Sequence, residues 1–159
     1  ELYMLLSALR QHFQHVIVNL VGQPDSEALR TLVSHCDQLL WYTDQSVLGC
    51  RRNLNVLNLW REKGMKLQHA GLLVDRYLRS VAPNSDTIGK TFGLPVRAVL
   101  PYAPELRLNA KNQGVTLFEL ASRDSLCSGL RRLGEHLASN SEAHDKPGQG
   151  WLARLWGNR

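Results

Sequence analysis

The sequence predicts an α/β fold: a mostly parallel sheet of about four strands with helices on both faces. Three observations carry this. Four short apolar runs, at 15–20, 38–43, 69–77 and 96–102, are bounded by Gly, Pro or helix-capping residues, as buried parallel strands are. The stretches between them repeat apolar residues at helical spacing. Strand and helix alternate along the chain, which is the pattern of a parallel sheet with right-handed crossovers.

Residues 1–13 place Leu2, Leu5, Leu6, Leu9 and Phe13 on one face of a helix. HVIVNL (15–20) is the first expected strand, stopped by Gly22 and Pro24. Asp25-Ser26 is a capping signal, and a helix runs to about Cys36 with Leu29, Leu32 and Val33 inward. QLLWYT (38–43) is the second strand, and a helix over 46–63 ends at Gly64. HAGLLVDRY (69–77) is the third strand. Pro83, Gly89, Gly93 and Pro95 leave room only for a short helix around 85–92. VRAVLPY (96–102) is the fourth strand, a short helix covers about 104–112, and Thr116 to Leu120 reads as either extended or the start of a turn. Leu126, Leu130, Leu133 and Leu137 then mark a helix over 123–138.

Composition narrows the function classes. The chain has 159 residues, 43% hydrophobic and 21% charged, which fits one globular domain with a real core and not a disordered chain. A net charge of +5 suits anionic partners without selecting one. Cys36, Cys50 and Cys127 are too few and too scattered for a disulfide framework or a zinc site. No apolar run reaches the ~18 residues of a membrane-spanning helix. A cytoplasmic setting is therefore the default. Because Glu1 falls inside a helical pattern, the chain is expected to be the C-terminal piece of a longer protein.

In parallel α/β sheets ligands sit beyond the C-terminal ends of the strands. That directs attention to 19–22, 43–46, 75–77 and 101–104. Asn19 ends the first expected strand, where hydrolases of nucleotides often keep a metal-orienting carboxylate; an amide is a poor Mg²⁺ ligand, and a turn residue is the equal alternative. Asp75 and Arg76 end the third strand, as a salt-bridged strand end or as a ligand-facing pair. Gly89-Lys90-Thr91 imitates a phosphate-binding loop. However, Asn84 stands where that loop needs Gly, and Pro95 leaves no room for the following helix. His12 and His15 are too near a helix end to share a metal. Arg51-Arg52 and Arg131-Arg132 read as solvated helix faces and not as a nucleic-acid patch.

From 140 to 150 the sequence is polar and punctuated by Gly and Pro, as linkers are. Beyond it Trp151, Leu152, Leu155 and Trp156 share one helical face, with Arg154 and Arg159 supplying charge. Three readings stay open for this tail: contact with a membrane or partner, docking on its own domain, or a disordered end.

Taken in order, VIVNL, LLWYTD…LGCRRN, GLLVDRY, VRAVLPYAPELRLNAKNQG and LFELASRDS…LRRL resemble the C-terminal half of the ParA/MinD superfamily of P-loop ATPases. Within it the resemblance is to the CpaE/TadZ proteins of Flp (tight adherence) pilus assembly. It covers about 1–138, and its most specific stretch runs from Val99-Leu100-Pro101-Tyr102 to Asn112-Gln113-Gly114 and then Leu117 to Leu120. The resemblance implies residues 1–139 as the C-terminal part of such an ATPase domain, 140–150 as linker and 151–159 as amphipathic tail. It implies a cytoplasmic protein, peripheral at the inner membrane, that dimerises and helps place a pilus or secretion machine. ATP and Mg²⁺ would belong to the full-length protein, with a P-loop upstream, and none to this piece; nucleic acid is not an expected partner. The alternatives are an active dimer-switch ATPase and, behind it, a DNA-partitioning protein.

The same resemblance supplies site positions. The Walker B carboxylate maps to Asn19, the adenine-touching Asn to Asp75 beside Arg76, and the Pro-x-Asp segment to Pro101, Tyr102 and Ala103. All three polar determinants differ from the family pattern, which implies weakened or lost hydrolysis and leaves no catalytic residue assigned. Trp151 to Trp156 occupies the place of the membrane helix of MinD-like relatives. In that superfamily the P-loop strand lies between the 15–20 strand and the 38–43 strand. Its absence here predicts self-association through exposed strand edges.

Overall fold

The computed structural model describes residues 2–144. The expected tail residues Trp151, Leu152, Leu155 and Trp156, and the linker after 144, lie outside the described residues.

Three of the four apolar runs become strands: β1 (Leu39–Asp44), β2 (Ala70–Tyr77) and β3 (Val96–Pro101). They pair in parallel in the order β1-β2-β3, so the fold is the α/β class that the alternation predicts. The helices are α1 (Leu2–His12), α2 (Glu27–Ser34), α3 (Val47–Glu62), α4 (Ser85–Phe92), α5 (Pro104–Gln113), α6 (Leu117–Ala121) and α7 (Ser125–His144).

The caps explain most boundaries. Ser26, Ser46, Asn84 and Thr116 each accept a backbone N–H of the helix they open. Gly93 and Gly114 close α4 and α5 with φ of 61° and 66°, a region that Gly enters at no steric cost. The stretch left between turn and strand is α6, set by a capping box in which Thr116 and Glu119 satisfy each other's backbone N–H. α7 continues to His144, past the helix end expected near 138.

Each face of the sheet has its own cover. On one face Trp41, Leu72 and Val74 meet Leu57 and Trp60 of α3 and Ile88 and Phe92 of α4. Trp41 and Trp60 pack edge to face with centroids 5.0 Å apart. On the other face α7 lies against β3, close enough that a Cβ on Gly129 would stand 3.0 Å from Leu100 Cδ2. The 89–91 motif sits inside α4. Gly89 is there because a Cβ would come within 2.7 Å of Val96, so no phosphate-binding loop is formed.

The first expected strand is corrected. Residues 15–20 are irregular; 15–19 are exposed, with Ile17 90% accessible, and only Leu20 packs half-buried against the core, although their sequence is the most strand-like in the chain. A strand requires a hydrogen-bonded neighbour, and this run is tethered away from one. Ahead of it Arg10 pairs with Asp37 at 2.7 Å. Behind it the Asp25 carboxylate accepts from Trp60 Nε1, Arg30 and Lys63. The Lys63 contact, with Arg30 and Trp60, holds the Asp25 carboxyl below its ordinary range against some opposing burial. Asp37 precedes β1 and Trp60 ends α3, so both tethers lie at the N-terminal end of the sheet.

Candidate functional site

At the C-terminal ends of the three strands the chain brings together 44–46, 75–77 and 101–104, three of the four segments singled out from the sequence. Asn19 is not among them. Its Oδ1 accepts the Val21 N–H at 3.1 Å, the local bond of a turn-forming asparagine, and it stands outside the sheet.

Asp75 is at the centre. Between Val74↔Val99 and Tyr77↔Pro101, β2 spends three steps where β3 spends two, a bulge that falls on Asp75 and Arg76. Arg76 takes φ 52°, a left-handed conformation that costs a residue with a Cβ about 1–2 kcal/mol. Arg76 is exposed, whereas Asp75 is 3% accessible. Both carboxylate oxygens of Asp75 are taken. Tyr42 Oη donates to Oδ2 at 2.9 Å, and Arg107 of α5 donates to Oδ1. Burial first, then the Asp75 carboxylate, push the Tyr42 hydroxyl above its ordinary value. The Nε of Arg107 is buried without a partner among the described residues.

The sequence singles out neither Tyr42 nor Arg107. Tyr42 reads as one more apolar strand residue, and Arg107 lies 32 residues from Asp75. No local pattern reports a pair of that separation.

Gln45 organises the rest of the rim. It is 8% accessible, and its Nε2 donates to the carbonyls of Leu78 (3.2 Å) and Pro83 (2.9 Å), with the Val81 carbonyl also in reach. Its Oε1 accepts from the Leu78 N–H at 2.9 Å. One amide therefore fastens the whole 78–83 loop to the end of β1. Gln45→Ala should cost about 2–4 kcal/mol, a few net hydrogen bonds and the desolvation of orphaned carbonyls. Urea melts should give that loss, and amide exchange should accelerate first at 78–83.

Tyr102 donates its backbone N–H to the Tyr77 carbonyl at 3.0 Å, and the residue is 47% accessible. Ala103 is the N-cap of α5 and supplies no side-chain hydrogen bond, with Pro104 following. A carboxylate at that position would accept one of the free N–H groups of α5; alanine leaves them without it. Beside the rim, an apolar groove of about 220 Å³ between α3 and α4 is lined by Val47, Cys50, Leu54, Ile88 and Phe92, with Arg51 among its walls.

Nothing in this arrangement by itself fits Mg-ATP. The described residues form no phosphate-binding loop, no group of three or more His, Cys, Asp or Glu side chains among them could hold a metal ion, and the Asp75 carboxylate is already satisfied. No helix among them is long and apolar enough to cross a membrane.

No protein-family model and no curated protein matches the chain. Solved structures do. The cell division ATPase MinD of Pyrococcus furiosus is similar with a TM-score of 0.68 at 15% identity, over 87% of this chain and 57% of that one. A ParA family ATPase from Chlorobium tepidum is similar with a TM-score of 0.59 at 20% identity, over 70% of this chain and 45% of that one. MinD in the MinC:MinD cell division complex of Aquifex aeolicus is similar with a TM-score of 0.59 at 16% identity, over 72% of this chain and 47% of that one. The chain thus spans about half the length of the structures it matches, and what it shares with them is the MinD/ParA fold.

Proposed function

We propose that this chain is the C-terminal half of a ParA/MinD-type domain and works as part of a dimer-forming switch that positions a partner assembly. The likeness in fold to MinD and ParA ATPases supports this reading over 70–87% of the chain. It favours the active-ATPase alternative over a pilus-specific role. On this reading the phosphate-binding loop comes from elsewhere in the polypeptide, and the present residues contribute the base side of the nucleotide site: Asp75, Arg76, Pro101, Tyr102 and Ala103. A regulator is the expected class of partner, as MinC is of MinD in the Aquifex complex. Peripheral membrane contact through Trp151, Leu152, Leu155 and Trp156 is part of the same proposal, and its location is the cytoplasmic face.

A second reading is favoured by two observations. Asp75 is closed by Tyr42 and Arg107, and Asn19 has left the sheet. These support a scaffold with a faded nucleotide site, in the manner of CpaE/TadZ proteins, serving a Flp pilus or secretion machine. The pilus assignment rests on the order and spacing of the sequence segments.

Nucleotide binding by the full-length polypeptide separates the two. The switch reading expects a fluorescent ATP analogue to bind and to raise the dimer fraction, with binding altered by Asp75→Asn. The scaffold reading expects no binding at any accessible analogue concentration. Binding that leaves the monomer–dimer balance unchanged would overturn both.

A further inference from the structure

Adenine and guanine differ at their polar edges and are alike in their faces. A protein tells them apart with a side chain that has donors or acceptors to spare at the edge. At the strand ends such side chains are occupied by the chain itself. The Asp75 carboxylate is 3% accessible, with one oxygen on Tyr42 and the other on Arg107. The Gln45 amide is buried, its oxygen on the Leu78 N–H and its nitrogen on the carbonyls of Leu78 and Pro83. Asp44 turns away to the start of α3, where its Oδ1 accepts from the N–H and the hydroxyl of Ser46. Pro101 and Ala103 carry no polar side-chain atom.

Two side chains on the base side stay open to a ligand. Arg76 is exposed at the end of β2, on the bulge that Asp75 anchors through Tyr42 and Arg107. Tyr102 is exposed just past the end of β3, and its N–H on the Tyr77 carbonyl sets it beside the strand that carries Arg76. A tyrosine ring and a guanidinium both offer a flat surface on which a base can stack. As a hydrogen-bond donor, the guanidinium also suits N7, an acceptor that both purines carry.

We propose that the nucleotide site takes a purine nucleoside triphosphate of either base, holding the ring by stacking on Tyr102 and Arg76 and not reading its edge. The inference rests on the switch reading and adds the ligand class to it. Asp75 then acts as a positioning residue: it fixes the bulge that presents Arg76 and does not itself touch the base. ATP and GTP are identical in ribose and phosphates, so the ratio of their affinities reports the base alone.

Displacement of a fluorescent ATP analogue from the full-length polypeptide by ATP and by GTP measures that ratio. The two affinities should agree within about threefold. Tyr102→Ala should weaken both about fivefold or more and by the same factor, because a stacked ring is lost whichever base lay on it. Asp75→Asn should shift both together and leave the ratio unchanged. The wild-type ratio depends on no variant and decides first. A preference of about tenfold or more for either purine overturns the inference and leaves the switch reading standing. So does a Tyr102→Ala loss confined to one nucleotide, or a ratio that moves toward ATP in Asp75→Asn. Absence of binding by the analogue and by both nucleotides overturns the switch reading and this inference with it.

Discussion

Arg107→Ala should destabilise the domain by about 3 kcal/mol, because it leaves the Asp75 carboxylate buried with one oxygen unpaired. The estimate takes the lower end for breaking a buried pair, since the Arg107 side chain is 32% accessible and water would reach the gap. The carboxylate keeps only the Tyr42 hydroxyl. A double-mutant cycle measures the effect. Asp75→Asn introduced beside Arg107→Ala removes the uncompensated charge while keeping an acceptor for Tyr42, so the double variant should recover more than half of the loss in urea melts. If Arg107→Ala changes stability by less than about 0.5 kcal/mol, the pair is a surface contact and not the lock on this site. The result bears on function directly. Both oxygens of Asp75 already accept one bond each, so a nucleotide that engaged Asp75 at this site would have to share or displace these contacts.

Phe92→Ala should cost about 3–5 kcal/mol, the usual range for removing a buried aromatic ring from a core. Phe92 is fully buried among α3, α4 and the sheet, and its carbonyl accepts from Arg61, so the backbone there is held and cannot collapse into the space. It also lines the groove between α3 and α4, so truncation would open that 220 Å³ space further into the core. For a domain of this size the melting temperature should fall by roughly 10 °C. Phe92→Leu, which keeps most of the volume, should fall by less than half as much. Equal losses for the two variants would mean that Phe92 contributes shape to the helix and not filling to the core.

The comparison between sequence and structure turns on a few residues. Asp25-Ser26 announced α2, and Gly93 bounded α4, because a cap depends on groups three or four residues away; Ser46, Asn84 and Gly114 carry signals of the same kind that the structure brought out. Thr116-x-x-Glu119 carried the same kind of signal for α6, and the reading as extended or turn overlooked it. Asp75 was legible as a strand-end carboxylate, and its salt-bridged reading is the geometry found. The partner was not legible, since Arg107 arrives from α5, 32 residues along the chain. Asn19 stands outside the sheet for the opposite reason: its segment has the local character of a strand and no paired neighbour among the described residues.

What the sequence alone determined is therefore the alternation of apolar runs and helical stripes, the caps that bound them, and the class of sheet they make. These follow from interactions within a turn or two of the chain, which every copy of those residues carries wherever it lies. Tertiary structure decided which runs became strands and that Asp75 closed on Tyr42 and Arg107. Strand pairing and buried ion pairs join residues distant in sequence, and their free energy exists only once both partners are in place.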